Sequence, residues 1–235
     1  MKAIIKRELY SYFNSAIGYI FLIAFLLFGG ILFFIDCLAQ NNSKLTYLFS
    51  QLIIITPLLV TFLTMRLISD EKKQKTDQLL LTAPVNLFSI VFGKYLAALI
   101  MYTLGILITV LYGIIINMFT PPDWTSFFVN FLGLWLWGIA LIGIGLFISS
   151  LTESQIVAAI ISFAVFVLFI FFIDPLASFI PVKAVSSIIT KLSFYGHYYN
   201  FTMGILNIPD LVFFISIAAL FIFLTSRSLE KKRWN

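Results

Sequence analysis

Three kinds of residue are scarce in this 235-residue chain. Cys37 is the only cysteine and His197 the only histidine. One cysteine excludes an intrachain disulfide and any zinc site built on several thiolates. One histidine excludes a multi-histidine metal site within the chain. Cys37 reads as a small buried apolar residue near a helix end. Charge is also sparse, at 11% of residues, where soluble domains carry about 25%.

The known catalytic signatures are missing too. No G-x-x-x-x-G-K-[ST] occurs, and Gly93-Lys94 lacks the upstream glycine, so the chain has no P-loop of its own. H-E-x-x-H and G-x-S-x-G are absent. No acidic residue falls in the middle of an apolar run: Asp36 and Asp174 stand at run ends, and Glu153 in a short connection. Ionisable groups inside the bilayer mark proton relays and ion paths. Their absence argues against a proton-coupled secondary transporter and against an intramembrane protease with paired aspartates. The apolar run after Lys2, Lys6 and Arg7 is too long for a cleaved signal peptide, and no A-x-A-like site follows it.

What remains is apolar. Hydrophobic residues make up 61% of the chain, and the mean hydropathy is +1.06. That much apolar surface needs lipid to cover it. The expected class is an all-α integral membrane protein forming one domain over residues 1–235. Runs of about 20 apolar residues mark spans. They predict six, at Gly18–Ile35, Leu48–Ile68, Ser89–Met118, Phe127–Ser149, Ile156–Ile173 and Leu211–Thr225. The third is longer than a bilayer requires and contains Lys94, so its first turns are expected to project from the membrane. The last is short and can extend back to Pro209. No span holds G-x-x-x-G. Gly138, Gly143 and Gly145 make the fourth rich in small residues, suited to close packing within one subunit or between two.

Basic residues predict the orientation. Lys2, Lys6, Arg7, Arg66, Lys72, Lys73, Lys75, Lys94, Arg227, Lys231, Lys232 and Arg233 fall on one side; Lys44, Lys183 and Lys191 fall on the other. The positive-inside rule puts the first group, and both termini, in the cytoplasm. The short connection at Thr152–Ser154 joins them. Pro121–Ser126 becomes an outer turn with Trp124 at the interface, and Trp234 an inner-surface anchor. Pro175–Asp210 is too apolar for a solvated loop and reads as one or two short helices on, or dipping into, the outer leaflet. The modest net charge of +5 suits lipid head groups rather than nucleic acid, because the cations flank apolar runs.

Two polar stretches stand out. Over the first fifteen residues Ile5, Leu9, Tyr12, Phe13 and Ala16 share one helical face, with Arg7, Ser11 and Asn14 opposite. That is the pattern of an interfacial amphipathic helix, with Lys2 and Lys6 able to snorkel. The other stretch is Ser69–Val85. Ser69 is expected to cap a short helix with Asp70 and Glu71 in its first turn, and Pro84 ends it. The stretch reads as a solvated loop or as a docking surface. Leu79, Leu80 and Leu81 favour docking, since a solvated loop has no use for them.

The run from Arg66 through Ser69-Asp70-Glu71-Lys72-Lys73 and Asp77-Gln78 to Val85, followed by Gly93-Lys94-Tyr95-Leu96-Ala97, resembles the ABC-2 type transporter permeases. The family usually has glycine where Lys75 stands and glutamate where Asp77 stands. Lys6-Arg7-Glu8-Leu9 with Tyr12-Phe13-Asn14-Ser15 resembles the family's elbow helix, which often carries proline at the Ala16 position. Ser193-Phe194-Tyr195-Gly196-His197-Tyr198 and Thr225–Trp234 resemble its small, gliding-motility-like branch, where arginine is common at Met203 and aspartate at Asn207.

The resemblance implies the transmembrane subunit of a type V ABC transporter in a bacterial plasma membrane, working as an exporter. It implies an elbow helix near residues 2–15 and re-entrant outer helices between spans five and six. It makes Ser69–Val85 the coupling helix, with Asp70, Glu71, Lys72, Lys73, Asp77 and Gln78 contacting a separate ATP-binding subunit, and Arg7 and Glu8 contributing from the elbow. ATP and magnesium would be bound by that partner, and this chain would hold no cofactor and have no enzymatic activity of its own. A second permease chain, like or unlike, would complete the complex within membrane lipid. His197 and Tyr198, beside Tyr199, are candidates for an outer gate or an interfacial aromatic cluster. Two other readings stay open: an ATP-independent channel or secondary transporter, and a membrane-embedded lipid-modifying enzyme using His197 with Asp174 or Asp210.

Overall fold

A computed structural model describes residues 2–40, 42–76, 86–179, 186 and 189–234, and among them every regular element is helical. They are α1 (Lys2–Phe13), α2 (Ala16–Phe33), α3 (Thr46–Thr64), α4 (Ser69–Lys73), α5 (Leu87–Asn117), α6 (Trp124–Leu151), α7 (Gln155–Val167), α8 (Ile173–Phe179), α9 (Phe194–Thr202) and α10 (Ile208–Trp234). Wider π-type turns extend α2 over Phe34–Leu38 and α7 over Leu168–Phe172.

Six segments are long and apolar enough to cross a bilayer: Ala16–Leu38, Thr46–Lys73, Leu87–Asn117, Trp124–Leu151, Gln155–Ala177 and Ile208–Lys231. They coincide with the six expected spans, most of them longer at one or both ends. The expected short last span is instead a continuous helix, since nothing between Ile208 and Trp234 interrupts helical backbone except Pro209 in the first turn, where proline is tolerated.

In lipid, apolar burial does not drive helices together, so close van der Waals packing must hold them. α6 is where that packing concentrates. It touches α3, α5, α7, α9 and α10, and its span is 78% buried against 22% for the fifth span. Its small residues make this possible. A Cβ on Gly138 would lie 2.0 Å from the Tyr102 ring, and one on Gly145 would lie 2.3 Å from Thr64 Oγ1. Gly143 meets Ala218 and Gly133 meets Phe201. The glycines of the fourth span therefore pack within this chain. Trp137 sits beside them, fully buried among Phe194, Tyr198 and Phe214.

Several polar groups inside the bundle turn back on backbone carbonyls, which satisfies them in a dry environment. Thr56 donates to Leu52 O and Thr61 to Pro57 O. Tyr102 donates to Leu134 O at 2.6 Å. At the end of α2, Asp36 is buried and accepts from Gln51 Nε2 at 2.8 Å, with Cys37 buried beside it. At that same end of the bundle, Ser43–Thr46 and Pro121–Phe127 meet, while α1, α4 and the α6–α7 connection gather at the other. Between α7 and α10 the described residues form two short helices, α8 and α9.

Candidate functional site

The site is built where α3 ends. Chain direction changes over residues 65–68, and α4 begins at Ser69 with Ile68, not Ser69, as its N-cap. Ser69 Oγ instead donates back to Met65 O. The capping oxygen comes from elsewhere: Ser149 Oγ, near the end of α6, accepts from Ile68 N and Ser69 N, both at 3.1 Å. A capping hydroxyl satisfies donors that a helix start leaves open.

α4 closes as tidily. Lys75 N donates to Lys72 O and Thr76 N to Glu71 O. This is the Schellman pattern, whose turn residue lies in left-handed space. Lys75 occupies it with φ 57°. Glycine, usual at this position in the family resembled, adopts that backbone without strain; the lysine keeps the same shape.

Three residues of α4 turn inward. Lys72 is buried and donates to Ser150 O at the C-terminal end of α6, where a cation also meets the negative end of the helix dipole. Asp70 Oδ1 accepts from Gln155 Nε2 at 2.7 Å, fixing the start of α7, and from Gln74 Nε2 at 3.1 Å. Glu71 Oε1 lies 2.8 Å from Arg7 Nη2 and 2.9 Å from Lys94 Nζ.

Those last contacts close a ring. Glu8 Oε1 also lies 2.7 Å from Arg7 Nη2 and 3.0 Å from Lys94 Nζ. Two carboxylates and two cations thus alternate, with no net charge, and tie α1, α4 and α5 together. Lys94 adds a hydrogen bond to Leu67 O at 2.8 Å and is 2% exposed. Lys94, in the first turns of α5, is covered by α1 and α4, and their carboxylates make its burial tolerable. For Glu8, burial opposes the charged form, but Lys94 and Arg7 outweigh it and hold the carboxyl below its ordinary range.

Arg66 completes the seam between α1 and the α3–α4 turn. It donates to Ser15 Oγ at 2.8 Å and to both oxygens of Ser11, and lies over the Tyr12 ring at 5.4 Å. Tyr12, buried, donates to Leu63 O at 2.7 Å. Ser11 therefore faces the protein, not water as the helical wheel suggests. α1 has two occupied faces: Glu8, Ser11 and Tyr12 turn to the bundle, while Tyr10 and Phe13 stay exposed. A cleft of about 330 Å³ opens among Arg7, Glu8, Arg66, Asp70, Glu71 and Gln74.

Of the predicted contact residues, Asp70, Glu71 and Lys72 are thus engaged inside the chain, together with Arg7 and Glu8. Lys73 is exposed, as are Gln74, Lys75 and Thr76. Asp77 and Gln78 lie outside the described residues. Sequence reasoning missed Lys94, Ser149, Ser150 and Gln155. For Lys94 a signal existed: a lone charge in an apolar run must find a counter-charge.

At the opposite end His197 and Tyr198 sit on α9. His197 Nδ1 lies 2.5 Å from Asp210 Oδ1, its Nε2 lies 3.1 Å from Lys191 O, and its ring stacks on Phe213 at 4.0 Å. Asn200 Nδ2 donates to Asp210 Oδ2 at 2.8 Å. Asp210, and not Asp174, is the histidine's partner. This knot pins α9 to the head of α10. Tyr198 is fully buried and donates to Phe49 O at 3.3 Å. With Tyr47, Tyr195, Tyr199 and Lys44 it lines a cleft of about 390 Å³. No group of three or more metal-ligating side chains occurs among the described residues.

Among curated proteins the chain has no significant match. The family model described as ABC-2 family transporter protein matches residues 3–235. That match spans the six crossing helices and the ion ring alike, and a multi-pass membrane permease is what they build: the chain belongs to the ABC-2 family of transporter proteins.

Proposed function

We propose that this permease takes its energy from a separate ATP-binding subunit that docks on α4 and the segment after it, and that it works as an exporter. The observation that carries the reading is the ion ring. A partner pressing on the exposed side of α4, at Lys73, Gln74 and Lys75, meets a helix whose inner side is bonded to α1 through Arg7 and Glu8 and to α5 through Lys94. Lys72 and Asp70 extend the same connection to α6 and α7. Force at one surface reaches four helices through these ion pairs and hydrogen bonds. A ligand shifts a conformational equilibrium only through contacts that differ between its states, and a partner bound at this surface has such contacts to change.

In this reading α1 is the elbow helix, α4 belongs to the coupling element, and Asp77 and Gln78 add contacts to the partner. ATP and its magnesium reside on the partner. The twelve-to-three division of basic residues supports placing α4 and both termini in the cytoplasm of a bacterial cell. A second permease chain, like or unlike, completes the pathway.

Photo-crosslinking from Lys73 and Gln74 in native membranes tests this. Crosslinks to a P-loop ATPase are expected. Crosslinks to lipid alone, from well-inserted protein, would overturn the coupling reading in favour of a stand-alone channel.

A further inference from the structure

α1 presents a second surface that the ion ring does not use. Along a side of α1 that runs from Leu9, which also packs on the bundle, to the exposed Tyr10, a shallow furrow of about 410 Å³ is lined by Ile5, Leu9, Tyr10 and Phe13, with Lys2 and Lys6 one turn apart along its rim. Tyr10 is 69% exposed and Phe13 is 39% exposed, although both are large and apolar. Among the described residues neither Lys2 nor Lys6 has a carboxylate partner. The one acidic residue of α1, Glu8, is turned to the other face and neutralised by Arg7 and Lys94. The furrow is therefore apolar along its floor and purely cationic at its edge.

We infer that this face of α1 is a binding site for an anionic phospholipid. An acyl chain fits against Ile5, Leu9 and Phe13, and the phosphate meets Lys2 and Lys6. A zwitterionic lipid satisfies the floor equally but gains little at the rim, because its own ammonium opposes the lysines. Basic side chains at an anionic surface each strengthen association roughly fivefold, so two lysines give about a 25-fold preference. The consequence reaches past anchoring. The same twelve-residue helix carries the lipid on one face and Arg7 and Glu8 on the other, so a lipid that holds α1 in place also favours the closed ring. Linkage makes this reciprocal: a closed ring raises affinity for the lipid.

The test uses the full chain in nanodiscs doped with photoactivatable phosphatidylglycerol or phosphatidylcholine, with mass spectrometry of the α1 peptide. Expected is labelling by the anionic probe at least tenfold above the zwitterionic one. The ratio should fall to near one in Lys2→Gln/Lys6→Gln and persist in Lys2→Arg/Lys6→Arg, which keeps the charge. The melting temperature should be higher in anionic discs for the wild type and insensitive to lipid charge in the glutamine variant. Equal labelling by both probes would overturn the proposal and reduce α1 to plain bilayer contact. An anionic preference that survives the glutamine variant would place the site elsewhere. No readout involves an ATP-binding subunit, so the proposal fails or stands separately from the coupling reading.

Discussion

Lys94 and Glu8 stand 86 positions apart in the chain, yet Lys94 Nζ lies 3.0 Å from Glu8 Oε1. Glu71 lies as close to the same ammonium, at 2.9 Å. A buried cation held by two carboxylates is costly to break from one side, because each group left behind stays desolvated. Lys94→Met should therefore destabilise the protein by about 3–5 kcal/mol. The double variant Lys94→Met/Glu8→Gln should lose less than the sum of the two single changes, since neighbours in one network are not additive. Thermal unfolding of the four proteins in one detergent checks both statements.

The ring also predicts an acid limit. The folded Glu8 carboxyl titrates below its ordinary value of 4.5. Its ionised form thus contributes stability that is fully present above that value. The contribution is lost as pH falls below it and through the lower folded value. The stability difference between wild type and Glu8→Gln should be constant from neutral pH down to about 5 and should shrink on further acidification. A gap unchanged at pH 3 would mean that Glu8 does not act through its charge.

Lys75 is a non-glycine residue in left-handed space, at φ 57°. Such a backbone costs an L-residue roughly 1 kcal/mol. Lys75→Gly should stabilise the end of α4 by about that amount, offset in part by glycine's larger entropy when unfolded. Lys75→Val should do the reverse. Hydrogen exchange at the Thr76 amide, which donates to Glu71 O, reads the change locally.

Asp210 is buried with His197 and Asn200 as its partners. Asp210→Ala removes the partner of His197 Nδ1 and of Asn200 Nδ2, both half-buried, at a cost of about 0.5–1.5 kcal/mol for each bond lost. Faster exchange confined to α9 and the start of α10 is expected, with the ring end unaffected. Uniform loss of protection would show that the knot supports the whole bundle rather than one corner.

The six spans were legible because lipid imposes one rule on every residue in them: a long apolar helix or nothing. The ring was not legible, for two reasons. Its members come from three elements, with Arg7 and Glu71 separated by 64 positions, and helical periodicity reports only neighbours three or four residues apart. The wheel of the first fifteen residues also shows a single apolar face. It groups Ile5, Leu9, Tyr12 and Phe13 on one face and sets Ser11 opposite, whereas Tyr12 is buried in the bundle and Arg66 makes Ser11 part of a second, polar interface. The inward turn of Asp70, Glu71 and Lys72 was hidden for a similar reason. Composition marked them as charged, and nothing local distinguishes a charge that meets a partner protein from one that meets its own chain.

Ser149 gives α4 its first turn from the far end of α6. A helix of five residues whose start is supplied by another helix cannot be tilted by itself. Turning α4 means turning its cap, and the cap belongs to the most enclosed element of the bundle. The two helices share one cap, so a displacement of either that keeps these hydrogen bonds carries the other with it.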